Sequence, residues 1–112
     1  MEIELTSGNF EQEVMGSDVP VLVDFRATWS PACADVAPSL SMVADNFKGK
    51  VKFGKVNIDN EIALTTKYSV TSVPTMVLFS EGRELSRVGG SVSAEQLEEF
   101  ILSNIKGESN AF

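Results

Sequence analysis

Hydrophobic residues recur along this chain with two different spacings, and the two spacings alternate from one segment to the next. Nearly continuous apolar runs at residues 21–25 and 75–79 are typical of strands that are buried on both faces. Residues 51–58 alternate between apolar and polar positions, as a strand does. From residue 33 to 47 the apolar positions instead recur every three or four residues, which predicts a helix ended by Lys48-Gly49.

Shorter elements complete the pattern. A brief first strand is followed by a short helix over residues 9–15, and another short helix is predicted over Ile62 to Tyr68. The turn at 80–83 joins the strand at 75–79 to a strand over 84–88, which predicts a hairpin.

The last helix is marked by a capping box. Ser93 is followed three residues later by Gln96, and the apolar face comprises Leu97, Phe100, Ile101 and Leu102. Residues 106–112 are predicted to be a frayed tail. No repeat or linker divides the chain, so residues 1–105 are predicted to form one α/β domain with a mixed sheet covered by helices on both sides.

Composition and charge narrow the possible partners and compartments. The formal net charge is -7 and the basic residues form no cluster, which argues against nucleic acid and against anionic membrane surfaces. The apolar run around Val19 to Phe25 is interrupted by Pro20 and Asp24 and is too short to span a bilayer. No signal-peptide pattern is visible and one cysteine cannot form an internal disulfide, so we predict a cytoplasmic protein.

The residue types that are missing exclude several kinds of chemistry. The chain has no histidine, which excludes Ser-His and Cys-His nucleophile pairs. A single thiol cannot build a structural zinc site or hold an iron–sulfur cluster, and no phosphate-binding or calcium-binding loop is present. We therefore expect neither a metal nor a cofactor. The remaining candidates are carboxylates, Lys55, Ser30 and Cys33.

The segment Trp29-Ser30-Pro31-Ala32-Cys33 contains the only tryptophan and the only cysteine. One interpretation is purely structural: Ser30 caps a helix, Pro31 occupies its first position, and Cys33 is a small buried residue. The other interpretation is a CxxC redox pair in which one sulfur is missing, because Cys33 follows Ser30 by three residues. These residues alone leave both interpretations open.

The wider sequence resembles the thioredoxin family over roughly residues 19–101. The resemblance is carried by three segments, "VLVDFRATWSPAC", "KVNIDN" and "YSVTSVPTMVLFSEGRELSRVGGSVSAEQLEEFI". They contain, in the family's order, Asp24, Trp29, Cys33, Pro38, Lys55, Val73-Pro74-Thr75 and Val88-Gly89. The resemblance implies a thioredoxin fold and the activity of a thiol–disulfide oxidoreductase.

One departure from the family pattern concerns the reaction itself. The family places an attacking thiol at position 30 and a resolving thiol at position 33, and this chain has Ser30 at the first. A serine hydroxyl is too weakly acidic to ionise at a helix N-terminus, and oxygen cannot form a mixed disulfide. We therefore expect no dithiol turnover from the chain as written. It is either a natural monothiol relative or a deliberate Cys-to-Ser variant.

The resemblance also assigns supporting roles. Asp24 would lie behind Cys33 as its proton acceptor with Lys55 as a neighbour, although a solvated strand-end aspartate and an exposed lysine are alternatives. The substrate-binding surface would comprise Trp29, Pro31, Ala32, Val73, Pro74 and Gly89, with a cis bond before Pro74. Two further departures are Pro31-Ala32 in place of Gly-Pro, and Arg26 in place of a second tryptophan.

The partners implied by the resemblance are protein disulfides and an electron donor of the thioredoxin-reductase type, with the chain acting as a monomer. An alternative from another class is a redox-dead module that binds extended peptides in a groove around Trp29 and Pro74. A third alternative is a structural subunit of a larger assembly, which no feature of the sequence specifically supports.

Overall fold

A computed structural model describes the backbone of residues 2–109 and the side chains up to residue 105. The strands are β1 (Glu2–Glu4), β2 (Val21–Arg26), β3 (Lys52–Asn57), β4 (Thr75–Ser80) and β5 (Arg83–Gly89). The α-helices are α1 (Pro31–Asn46), α2 (Ile62–Lys67) and α3 (Ala94–Ser109), and a π-helical segment spans Glu11–Met15.

The five strands form one mixed sheet in the order β1-β3-β2-β4-β5. The first three strands in that order are parallel, and β4 pairs antiparallel with both β2 and β5. The strand β2 therefore lies at the centre of the sheet, and five of its six residues are buried. This agrees with the prediction made from its nearly continuous apolar run.

Alternate residues of β2 face two separate hydrophobic clusters. Leu22 packs with buried residues of α1 and α3, including Leu40 and Leu97. Val23 points to the opposite side and packs in a cluster with Phe10, which immediately precedes the π-helical segment, and with Leu64 of α2. The predicted α/β architecture, a central mixed sheet with helices on both faces, is confirmed.

Two local sequence signals have the predicted structure. Ser93 Oγ accepts a hydrogen bond from the backbone N–H of Gln96, and Gln96 Oε1 accepts one from the backbone N–H of Ser93, which completes the capping box. The hairpin turn between β4 and β5 has positive φ angles at Glu81 (53°) and Gly82 (78°). Positive φ at both central residues is typical of the tight turns that match the twist of paired strands.

Two element boundaries differ from the sequence predictions. The helix predicted over residues 9–15 is a π-helical segment that starts at Glu11, because Asn9 belongs to the preceding turn: its Oδ1 accepts a hydrogen bond from the backbone N–H of Thr6. At the other end of the chain, α3 continues to Ser109, past the predicted boundary of the tail at residue 106. Residues 110–112 of that tail lie outside the described part.

Tyr68 follows α2 and is the centre of an aromatic cluster beneath that helix. Its ring centroid lies 5.3 Å from those of both Phe10 and Phe79, and 6.4 Å from that of Phe25. Such tilted and edge-on ring pairs stabilise a core beyond the area that they bury. This cluster is on the face of the sheet opposite to α1.

Candidate functional site

The candidate site begins where β2 leads into α1. Ser30 has an extended backbone (φ -89°, ψ 119°), and its Oγ accepts a hydrogen bond of 3.3 Å from the backbone N–H of Cys33. Pro31 occupies the first helical position, where its missing N–H leaves no helical hydrogen bond unmade. The structural interpretation of Ser30-Pro31 as a helix start is confirmed.

Both side chains at the CxxC-like positions are buried. Ser30 is enclosed, and Cys33 is 8% exposed and belongs to the buried stripe of α1 that also carries Val36 and Leu40. Cys33 is a free thiol. The hydroxyl at position 30 therefore serves as a cap, and the only thiol is one helical turn further into the protein.

Asp24 is a buried carboxylate in an otherwise apolar strand, and it is 1% exposed. Because side chains alternate along a strand, Asp24 shares the face of β2 with Leu22, which packs against α1. The carboxyl end of β2 leads directly into the start of α1, so Asp24 lies under the N-terminal half of that helix. This is the half that carries Cys33.

A guanidinium group holds this carboxylate. Arg26 Nη2 lies 2.7 Å from Asp24 Oδ2, and the same nitrogen lies 2.6 Å from Oε1 of Glu2 on β1. Burial raises the pKa of Asp24 from 3.8 to about 6, although the positive charge of Arg26 opposes the shift. The nearby charge of Glu2 raises that pKa and the charge of Lys55 lowers it.

Lys55 lies directly across from Asp24 in the parallel pairing of β2 with β3. The resemblance assigned Lys55 as the neighbour of this carboxylate, and the register agrees with that assignment. The direct ion pair, however, is formed by Arg26, which stands where the family pattern has a second tryptophan.

The second part of the site surrounds Pro74. The Val73–Pro74 peptide bond is cis, as the resemblance implied. The carbonyl oxygen of Pro74, which is itself buried, accepts a hydrogen bond of 3.1 Å from the backbone N–H of Gly90. At Gly89 an added Cβ would lie 3.3 Å from that same oxygen, so a larger residue there would crowd the backbone.

Val73 itself is half-buried, and within residues 2–109 neither its N–H nor its C=O has a hydrogen-bond partner. A cleft of about 230 Å³ continues from this segment, and it is lined by Ser69, Val70, Thr71, Ser72, Thr75, Arg87, Val88 and Gly89. An unpaired backbone beside a cleft can accept an extended chain.

Strand pairing brings the two parts of the site to the same end of the sheet, where β2 ends and β4 begins. Thr75, the residue after Pro74, pairs with Phe25 near the end of β2. The loop that leads to Ser30 leaves β2 after Arg26, only one residue further on. The turn at Ser30 and the Val73–Pro74 segment are therefore neighbours.

Trp29 lies on the surface next to this turn and is 65% exposed. Its indole Nε1 donates a hydrogen bond of 2.9 Å to Oδ2 of Asp59, which follows β3. Ile62, 69% exposed at the start of α2, is another large apolar side chain on the surface. Pro31 is exposed and Ala32 is half-buried, so the candidate binding residues differ widely in accessibility.

Three residues of the site were not identified as such from the sequence: Glu2, Arg26 and Asp59. Arg26 could have been recognised from the sequence. It follows the strand aspartate Asp24 by two residues, so both side chains lie on one face of the strand and can form an ion pair. Glu2 and Asp59 could not have been recognised, since their contacts depend on the placement of other strands and loops.

The described residues 2–109 contain no group of three or more His, Cys, Asp or Glu side chains that could hold a metal ion. In the same part of the chain, none of the helices is both long enough and apolar enough to cross a membrane.

Comparison with known proteins gives a consistent result over nearly the whole chain. The family model described as Thioredoxin matches residues 1–103. Thioredoxin 1 of Nostoc sp. is 40% identical over 98 residues, which cover 88% of this chain and 92% of the relative. The thioredoxin of Pseudomonas aeruginosa is 40% identical over 103 residues, with 92% and 95% covered. The thioredoxin of Rickettsia bellii is 37% identical over 105 residues, with 94% and 100% covered.

Proposed function

The chain belongs to the thioredoxin family, and on that premise we propose that it has the substrate surface and proton acceptor of a thiol–disulfide oxidoreductase without dithiol turnover. The observation that carries the proposal is the contact between Ser30 and Cys33. The hydroxyl at position 30 is buried and accepts the hydrogen bond from the Cys33 N–H, so no thiolate stands at the start of α1.

The chemistry of oxygen explains why the chain has no dithiol turnover. Disulfide exchange needs a sulfur anion that attacks a substrate disulfide and remains bound through a new S–S bond. A serine hydroxyl has no neighbouring base of the usual kind, since the chain has no histidine, and an oxygen cannot form that bond. Cys33 cannot substitute for it, because its sulfur is buried one turn into the helix.

A Ser30→Cys variant would supply the missing step. Its thiolate would attack one sulfur of a substrate disulfide, form a mixed disulfide and release the first substrate thiolate. Cys33 would then transfer its proton to Asp24 and attack the sulfur of residue 30, which releases the second thiolate. The substrate gains two electrons, and the protein keeps a disulfide between residues 30 and 33 that dithiothreitol can reduce.

Insulin reduction with dithiothreitol tests the proposal. We expect the chain to give only the background rate and Ser30→Cys to give a clear increase. Ser41→Cys is the matched control: it adds a second thiol on the exposed face of α1, eight residues from Cys33, or about 12 Å along the helix. Turnover by the chain itself, or equal turnover by both cysteine variants, would contradict the proposal.

The second candidate is a redox-dead module that binds extended peptides. The N–H and C=O of Val73, which have no hydrogen-bond partner in the described part of the chain, and the exposed ring of Trp29 favour it. Calorimetry with an extended peptide that lacks cysteine tests this function, with Trp29→Ala expected to weaken binding and Leu102→Ala, an exposed apolar residue on α3, as control. Equal affinity in all three proteins, or no measurable binding, would exclude this candidate.

The partners follow from the first candidate and are part of the same proposal. Protein disulfides would be the substrates of the restored dithiol form, and a thioredoxin-reductase-type enzyme its electron donor. We further propose a cytoplasmic monomer, for which the molecular mass in solution and the location of a tagged protein are the tests. The codon at position 30 of the encoding gene distinguishes a natural serine from a deliberate replacement.

A further inference from the structure

Three charged side chains meet in the layer between the sheet and α1. Glu2 comes from the edge strand β1, whereas Asp24 and Arg26 lie on the same face of the central strand β2. One nitrogen, Arg26 Nη2, contacts both carboxylates, at 2.6 Å from Glu2 and 2.7 Å from Asp24. The side chains of Glu2 and Arg26 are mostly buried, and Asp24 almost completely so.

The two oxygens of Asp24 have different surroundings. Oδ2 is held by the guanidinium, whereas Oδ1 is buried and has no hydrogen-bond partner among the described residues. A buried carboxylate oxygen without a partner is costly unless it receives a proton or a hydrogen bond. The ion pair therefore leaves one oxygen of this carboxylate available.

We propose that Arg26 is a positioning residue: it fixes Oδ2 of Asp24, with Glu2 anchoring the guanidinium, and leaves Oδ1 as the atom that takes the proton of Cys33. The inference rests on the proposed function, in which Asp24 is the proton acceptor of the resolving thiol. It adds the two residues, Arg26 and Glu2, that orient this acceptor and set how readily it takes a proton.

The proton transfer balances without any further reactant. The S–H bond of Cys33 breaks, its electron pair stays on sulfur, and the proton forms an O–H bond with Oδ1. The charged groups that act on Asp24 are Glu2 from β1, Arg26 from β2 and Lys55 from β3, and β4 places the apolar Met76 opposite it. On α1, the titratable side chain of the buried stripe is Cys33. Arg26 stays cationic throughout and keeps hold of Oδ2.

The two flanking charges have opposite effects, which makes the inference testable. Arg26 lowers the pKa of Asp24 and Glu2 raises it. Arg26→Met should therefore raise that pKa above its present value of about 6, and Glu2→Gln should lower it. A side chain that only fills space would not produce shifts of opposite sign at the same carboxylate.

The primary experiment follows the Asp24 carboxyl carbon by NMR across pH in the chain as it exists. We expect Arg26→Met to move the midpoint upwards by about one pH unit, a tenfold change in proton affinity, and Glu2→Gln to move it downwards. Arg26→Lys keeps the charge and is expected to lie between the parent and Arg26→Met, which preserves the test if Arg26→Met fails to fold. Arg87→Met, which removes an exposed arginine paired with Glu84, is the control and should leave the midpoint in place.

A second experiment measures release of the substrate thiol from the mixed disulfide in a Ser30→Cys background. The pH midpoint of release should move in the same direction as the titration of Asp24 in each variant. An unchanged Asp24 midpoint in Arg26→Met, shifts of equal sign in Arg26→Met and Glu2→Gln, or release that does not follow the titration would each overturn the inference. If Ser30→Cys fails to reduce insulin, the proposed function fails, and the titration in the parent chain still decides whether Arg26 and Glu2 control Asp24.

Discussion

Ser30 Oγ lies 3.3 Å from the backbone nitrogen of Cys33 and accepts its hydrogen bond. The residue that stands at the reactive position of the family pattern therefore caps the helix that carries the only thiol. A cap satisfies a backbone N–H that would otherwise lack a partner in the first turn of the helix. The serine at position 30 thus has a structural role of its own, whatever its origin.

Loss of this cap should lower stability. We expect Ser30→Ala to reduce the free energy of unfolding by about 0.5–2 kcal/mol, as for other N-cap replacements. Urea denaturation is the measurement. Ser41→Ala changes an exposed serine inside the same helix, where alanine is favoured, and should cause no loss. Equal stability of the parent and Ser30→Ala would show that the hydrogen bond contributes nothing.

Cys33 should react slowly in the folded protein because little of its surface is exposed. We expect iodoacetamide to label it at least about tenfold faster in denaturing urea than in native buffer, since labelling of a buried thiol requires local opening. Mass spectrometry of quenched samples gives both rates. Similar rates in the two solvents would mean that the thiol is accessible in the native state.

Asp24 should make stability depend on pH in a definite direction. Its pKa is raised from 3.8 to about 6 on folding, so the folded protein binds the proton more tightly and stability falls as pH rises through this range. Asp24→Asn cannot ionise, so its stability relative to the parent should increase by up to about 3 kcal/mol between about pH 4 and about pH 7.

Urea denaturation of the parent and Asp24→Asn at several pH values measures this difference. The exposed Asp35→Asn is the control, and its difference from the parent should stay nearly constant. A relative stability of Asp24→Asn that decreases with pH would reverse the sign and refute the assignment.

Gly54 in β3 should not tolerate a side chain. An added Cβ would lie 2.4 Å from Cδ1 and 2.8 Å from Cγ of Leu5, which is completely buried. We expect Gly54→Ala to cost about 1–3 kcal/mol through overpacking. Gly8→Ala meets only Thr6 Oγ1 at 3.5 Å and is the matched control. Thermal unfolding measures both, and equal midpoints would contradict this account of the packing.

Asp59 should hold the indole ring of Trp29 in place. Asp59→Ala removes the acceptor of the 2.9 Å hydrogen bond, whereas Asp59→Asn keeps an acceptor oxygen. We expect lower fluorescence anisotropy of this single tryptophan in Asp59→Ala and a value near the parent's in Asp59→Asn. The same anisotropy in all three proteins would show that the hydrogen bond does not orient the ring.

Most of the fold could be predicted from the sequence because its local signals agree with one another. The apolar run of β2, the stripe of α1 and the reciprocal cap at Ser93 each need only neighbouring residues to be recognised. The π-helical segment could not be predicted. The spacing of apolar residues distinguishes a helix from a strand, but over five residues it does not distinguish a π-helix from an α-helix.

The site was predicted less completely, for a physical reason. Ser30, Pro31 and Cys33 are close in sequence, and their hydrogen bond follows from helix geometry. The contact of Arg26 with Glu2 joins residues 24 positions apart across an intervening strand. The pattern of residues along the sequence does not predict such a contact, because the contact depends on the order of the strands in the sheet and on the conformation of a long side chain.

The separation of the two polar aromatic residues has a practical consequence for following how the protein unfolds. The single tyrosine belongs to the ring cluster beneath α2. The single tryptophan lies on the surface, just before the start of α1. Near-ultraviolet circular dichroism of Tyr68 and emission of Trp29 therefore monitor different layers of the molecule. Coincident transitions would establish a single cooperative unit, whereas an earlier change at Trp29 would isolate opening of the site from loss of the core, without any added dye.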